Sequence, residues 1–168
     1  METMKWAVLP QKQCDVPVDL MEPEKCQVHG ALFMELKTPD VQGRMLVYIP
    51  KSWNNNDPVL VAASPEKMSE EEFICQYGVC DFAENRGVLL AVIRAEKEDH
   101  GEKTSKLLNA AYKKLQGREY FVAMQDCFYT MGFEEGSQAV LKAMLTMGSD
   151  WSGAAFFGQI TDETQMEF

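Results

Sequence analysis

Apolar and polar positions follow two different periods along this chain, and the changes from one to the other divide it into elements. Residues 26–36 (CQVHGALFMEL) and 43–50 (GRMLVYIP) read as two strands, split by the turn-like Thr38-Pro39-Asp40. Ser52 to Pro58 is a polar loop. Val59 to Ala63 is a short, continuously apolar run, as expected of a strand buried on both faces. The period then changes. Ser69 followed by Glu70, Glu71 and Glu72 predicts a helix start, because acidic residues are favoured at the positive end of the helix dipole. Phe73, Ile74, Tyr77 and Cys80 share one helical face, and Gly87 breaks the pattern. Residues 87–93 (GVLLAVI) read as another buried strand. A charged loop leads to a helix over about 104–116, with Leu107, Leu108, Ala111, Tyr112 and Leu115 on one stripe. Asp126 to Met131 reads as a strand, followed by Gly132-Phe133-Glu134-Glu135-Gly136. The next helix, about 135–147, is apolar almost all round, which predicts a central position. Residues 153–158 (GAAFFG) form a last strand.

Two strands followed by repeated strand–helix units imply an α/β fold. The expectation is a mostly parallel sheet of about six strands with helices on both faces, opened by an antiparallel hairpin. A single domain over residues 1–168 accommodates this order. Residues 1–25, with Pro10, Pro17 and Pro23, read as an extended lead-in.

Composition narrows the function classes. With 46% hydrophobic and 25% charged residues the chain is globular. A formal net charge of -10 argues against nucleic acid and anionic membrane as partners, since both are polyanions. No apolar stretch approaches the roughly 20 residues needed to cross a bilayer. The start, Met1 to Trp6, lacks the basic and long apolar regions of a signal peptide, so the cytoplasm is expected. Five cysteines, an odd number with no CxxC pair, read as free and mostly buried thiols, Cys127 being unreactive on a central strand. His29 and His100 have no second ligand at zinc spacing, so no metal and no cofactor is expected.

Asp126 to Gly158 is similar to the heart of α/β hydrolases: strand, sharp turn, buried helix, strand ending in small residues. Upstream, GRMLVYIPKSW, a loop and PVLVAAS resemble the opening of esterases of the polyhydroxybutyrate-depolymerase and feruloyl-esterase type. The resemblance covers roughly residues 40–160 and implies an α/β-hydrolase-like domain lacking the C-terminal strands. It implies a nucleophile elbow, G-x-S-x-G, at Gly132-Phe133-Glu134-Glu135-Gly136, with Glu134 where the serine would stand. Ser137 lies one step beyond that frame and would point into the helix. The oxyanion loop of the family falls on Ser64-Pro65, and proline has no backbone N–H to donate. The acid and histidine of the triad normally follow the nucleophile, and no histidine follows Glu134; His29 and His100 precede it. His100, in Glu98-Asp99-His100-Gly101, reads as a solvated loop residue. Dehalogenases and epoxide hydrolases of this fold use a carboxylate nucleophile, but with a histidine downstream; without one, Glu134 reads as an N-terminal helix cap.

These features favour a non-catalytic, hydrolase-like protein acting as a subunit or interaction module. Any enzymatic activity is expected to be that of an esterase-like hydrolase. One alternative is part of a split esterase completed by another chain. Another is a small-molecule binder using a vestigial pocket of Ser64, Pro65, Gly132, Phe133, Glu134, Glu135 and Gly136. The segment 153–158 is expected to be an edge strand, with Ala155, Phe156 and Phe157 as an interface for a homo-oligomer or a hetero-subunit. The competing expectation is that the acidic tail, Gln159 to Phe168, shields that edge.

Overall fold

The apolar runs Val59–Ser64 and Leu89–Arg94 have no polar face to show to water, so they belong between layers of helix. A computed structural model, which describes residues 5–6, 30–96, 100–117 and 121–158, places them there. The strands are β1 (Lys5–Trp6), β2 (Gly30–Lys37), β3 (Gln42–Ile49), β4 (Val59–Ser64), β5 (Leu89–Arg94), β6 (Phe128–Phe133) and β7 (Gly153–Phe157). The helices are α1 (Glu70–Gln76), α2 (Val79–Arg86), α3 (Glu102–Gln116) and α4 (Glu135–Met147).

All seven strands form one sheet in the order β1-β2-β3-β5-β4-β6-β7. β1, β2, β3 and β5 pair antiparallel in succession, whereas β5, β4, β6 and β7 are parallel. Chain order steps from β4 to β5 on one side, then crosses back to β6 on the other. This reversal puts the carboxyl ends of β4 and β6 at the point where the chain connections diverge in opposite directions.

The sheet divides the core into two clusters. Val61, Ala91, Ile93 and Phe128 point to the side covered by α3 and α4. Ala62, Leu90, Val92 and Met131 point to the side covered by α1 and α2. The α3 stripe read from the sequence, Leu107, Leu108, Ala111, Tyr112 and Leu115, is buried against the first cluster.

α1 starts at Ser69 for the expected reason. Its hydroxyl accepts from the Glu72 N–H, and the Glu72 carboxylate accepts from the Ser69 N–H, so two otherwise unpaired donors are satisfied. These hydrogen bonds hold the Glu72 carboxyl below its ordinary range.

The structure departs from the sequence reading in four places. The helical stretch after Ser69 is two helices, because Gly78 adopts a left-handed conformation (φ 63°) and turns the chain between Tyr77 and Val79. Tyr77 is therefore exposed rather than part of a continuous buried face. β6 begins later than expected: Gln125–Cys127 is a 3-10 turn, which puts Cys127 before the strand and leaves it partly accessible. α4 is not central, since only its Gly136, Ser137, Ala139, Val140 and Ala143 are buried and Leu145 is 61% exposed. Not every cysteine is a thiol: Cys80 is in a disulfide. An odd count shows only that at least one thiol stays unpaired, and it leaves a bridge between segments distant in sequence open. The strand read over 26–36 is β2, described from Gly30 on; residues 26–29, including His29, lie outside the described residues, as do Cys14, Cys26, most of the lead-in and the acidic tail.

Candidate functional site

The frame Gly132-Phe133-Glu134-Glu135-Gly136 lies where β6 turns into α4, at the carboxyl edge of the sheet. Glu134 has φ 49° and ψ -118°. A residue with a side chain rarely takes that conformation, and it persists only where the surroundings impose it. The two glycines supply the space. A Cβ on Gly132 would meet the Gly136 carbonyl oxygen and the Ser137 Cα, and one on Gly136 would strike the Ala63 carbonyl of β4. Gly158 presses on the same residue, since a Cβ there would lie 2.9 Å from the Glu134 Cα. The Glu134 N–H donates to the Phe157 carbonyl at 2.8 Å, tying the elbow to the end of β7.

Ser137 points inward, as its position predicts. It is fully buried and its hydroxyl donates to the Gly132 carbonyl at 2.9 Å, closing the turn from inside. The hydroxyl is spent on structure and is closed off from solvent.

The Glu134 side chain is 44% exposed and forms an ion pair with Lys67, Oε2 to Nζ 3.0 Å. The hydrogen bond to Glu134 raises the Lys67 amine above its ordinary range. Lys67 comes from the loop after β4 that also carries Ser64 and Pro65. Ser64 is buried and its hydroxyl makes no hydrogen bond among the described residues. Pro65 is buried as well, and its carbonyl accepts from the Met68 N–H at 3.2 Å, which shapes the loop. Glu135 is half-buried, one of its carboxylate oxygens enclosed without a hydrogen-bond partner. Thus the structure brings Ser64, Pro65 and residues 132–136 together at the carboxyl ends of β4 and β6 and adds Lys67, which no spacing signal in the sequence indicated.

An aromatic wall flanks the elbow. Phe133 stacks on Phe157 (centroids 4.6 Å apart, planes at 15°) and on Tyr77 (5.6 Å, 29°), and meets Phe73 edge-on. His100 stands apart as an exposed residue with φ 50° just before α3, making no hydrogen bond to Glu134 among the described residues. Among the described residues no group of three or more His, Cys, Asp and Glu gathers to hold a metal, and no helix is long and apolar enough to cross a membrane.

The chemistry available at the elbow is that of a carboxylate neutralised by an ammonium at a helix N-terminus. A family oxyanion hole uses the N–H after the nucleophile and one from the loop after the third strand. Here that loop presents Pro65, which has none.

At this same carboxyl end of β7 lie the expected interface residues, Ala155, Phe156 and Phe157. All three are exposed, and β7 is last in the strand order.

No protein-family model and no curated protein matches the chain. Solved structures do. Est1E from Butyrivibrio proteoclasticus is similar with a TM-score of 0.58 at 16% identity, over 74% of this chain and 49% of its own. S-formylglutathione hydrolase FrmB from Staphylococcus aureus gives 0.61 at 11% identity, over 74% and 56%. The poly(3-hydroxybutyrate) depolymerase LpqC from Bordetella parapertussis gives 0.54 at 17% identity, over 69% and 47%. The chain spans about half the length of these structures. Strand order, strained elbow and these likenesses agree: the chain has the α/β-hydrolase fold, with a glutamate at the elbow.

Proposed function

We propose that this is a non-catalytic hydrolase-like protein that acts as a subunit or interaction module. The observation that carries this reading is the Lys67–Glu134 ion pair in a strained, correctly formed elbow. The fold has kept the geometry that would expose a nucleophile and filled it with a neutralised carboxylate. Ser137 offers no replacement, because its hydroxyl is buried in a hydrogen bond. A carboxylate nucleophile in its own right needs a base to activate the water that clears the ester, and His100 is not hydrogen-bonded to it.

The interaction surface of this reading is β7 and the sheet face beside it. Apart from Gly153, every residue of β7 is exposed, and the strand carries no lysine or proline to discourage pairing. The partner is a second copy of the chain or a different subunit that completes the fold. The cytoplasm fits a charged chain but not the Cys80 disulfide, which favours an oxidising compartment. Alkylation with and without reductant, read by mass, separates the two: equal labelling of Cys80 in both would restore the cytoplasm.

The test of the non-catalytic reading is hydrolysis of short-chain nitrophenyl esters by the purified chain. No turnover above background is expected, and Glu134→Ser alone should create none, because a serine without a base is a weak nucleophile. Turnover abolished by Glu134→Gln would overturn the reading in favour of a carboxylate nucleophile.

A further inference from the structure

A cavity lies on the same edge of the sheet, across β4 from the elbow, where the carboxyl end of β5 meets the start of β3. Its volume is about 300 Å³, at the small end of the range for ligand sites. Ile93, Ala95 and Leu107, all buried, give it an apolar wall. Gly43 leaves this wall open, since a Cβ there would lie 2.8 Å from a Leu107 methyl.

The rim is charged, and most of the charges are already committed. Arg44 makes a bidentate pair with Glu70, both contacts 3.1 Å, and lies over the Phe33 ring at 4.2 Å. Glu70 is 3% exposed, so this pair is fixed. Glu96 is engaged by Lys103 at 2.6 Å. Two groups remain. Among the described residues Arg94 donates through its Nε alone, to the Glu66 carbonyl at 2.6 Å, and has Glu72 as a charged neighbour without a hydrogen bond to it, so the terminal nitrogens keep their donors. The Glu66 carboxylate forms no ion pair among the described residues. Both residues line the cavity, one cation and one anion beside an apolar wall.

We infer that this cavity binds a small zwitterion of the α-amino-acid type with an aliphatic side chain. Arg94 takes the carboxylate, Glu66 takes the ammonium, and the side chain lies on Ile93, Ala95 and Leu107. A simple anion is disfavoured by the carboxylates on the rim, and a simple cation by the two guanidinium groups. A zwitterion satisfies both free charges without leaving either unpaired. The site does not depend on the reading of the elbow, which lies on the other side of β4.

Amide chemical shifts of the isotope-labelled full chain provide the test, with three probes: L-leucine, 4-methylpentanoate and 3-methylbutylamine. Leucine should give saturable shifts at Gly43, Ala95, Glu96 and Leu107, and each half-ligand should bind about tenfold more weakly or worse. Arg94→Gln should weaken leucine about tenfold or more. Glu66→Gln should weaken leucine but leave 4-methylpentanoate unchanged. Both variants replace surface charges, and retained amide dispersion shows that they fold. Absence of saturable leucine shifts, shifts centred elsewhere, equal affinity for either half-ligand, or indifference of leucine to Arg94→Gln would each overturn the inference.

Discussion

The two flanks of the sheet are built to different standards. At β3, β5 and β4 both faces are covered, by α3 on one side and by α1 and α2 on the other, and Val61, Leu90, Ala91 and Val92 are fully buried. At β6 and β7 the side facing α1 and α2 is covered only in part: Met131 is buried and Phe133 packs on Phe73, while Tyr129 and β7 lie open. Register puts Tyr129 beside Gly153, Met131 beside Ala155 and Phe133 beside Phe157 on that face. Tyr129 is 42% and Phe157 52% exposed. Parallel strands are stable when both faces are covered, so β6 and β7 form the unfinished part of an otherwise ordinary α/β sheet. The same chain thus contains a self-sufficient core and a flank whose apolar surface calls for something to cover it.

The largest expected effect contrasts two phenylalanines of the β6–β7 flank, one on its covered face and one on its open face. Phe128 is fully buried and packs on Tyr112 with centroids 4.5 Å apart. Phe128→Ala should cost about 3–5 kcal/mol in urea unfolding. Phe157 makes one stacking contact and is half in water, so Phe157→Ala should cost about 0.5–1.5 kcal/mol. Similar losses for the two would mean that the open flank is covered in solution, which would move the contrast from the chain to its assembly.

Next comes assembly itself. If β7 pairs with another copy, light scattering at high micromolar concentration should show a dimer, and Phe157→Lys should return it to monomer. A monomeric wild type whose solubility is unchanged by Phe157→Lys would count against an interface at this edge and favour a self-shielded one.

The contrast was half visible in the sequence. The runs VLVAA and VLLAVI have no polar face, and that alone places them between two layers. The glycine frame 132–136 located the strand-to-helix turn, and the structure explains it by backbone contacts that allow no Cβ. Three things were not legible. The break at Gly78 was hidden because the residues on either side keep a helical pattern. The Lys67–Glu134 pair joins two loops far apart in sequence, and no local period reports such a pair. The exposure of α4 was missed because an all-apolar helix predicts burial on every side, while here its outer face meets too little of the chain.

Acid should weaken the covered flank selectively. The Glu72 carboxyl, held down by the Ser69 capping bonds, and the Glu102 carboxyl, held down chiefly by Lys142, lie below their ordinary value of 4.5 in the folded state. A depressed carboxyl contributes stability that is complete above its unfolded value and is lost as pH falls through the folded one. Stability should therefore begin to drop near pH 4.5 and go on dropping below it. Glu72→Gln keeps a capping side chain without the titration, so its stability should fall less over the same window. β7 carries no ionisable residue, and its amide exchange, corrected for the intrinsic pH dependence, should not follow this drop.

The smallest expected effect is at the elbow, and it separates what shapes Glu134 from what neutralises it. The positive φ of Glu134 is imposed by backbone contacts, from Gly132, Gly136 and Gly158 and from the hydrogen bond to the Phe157 carbonyl. Lys67 touches only the carboxylate, and both side chains are well exposed, so their pairing is screened by solvent. Lys67→Met should leave stability at neutral pH nearly unchanged. The Lys67 amine is raised, so what the pair adds is present below its ordinary 10.5 and fades as pH rises through the folded value. Glu134→Gly should act in the opposite direction, because it removes a side chain from a strained conformation that costs about 1–3 kcal/mol, although a more flexible unfolded chain offsets part of that gain. If Lys67→Met instead destabilised the protein as strongly as a core truncation, the ion pair rather than the backbone would be holding the elbow in shape, and β7 would be tied to the sheet through a surface charge.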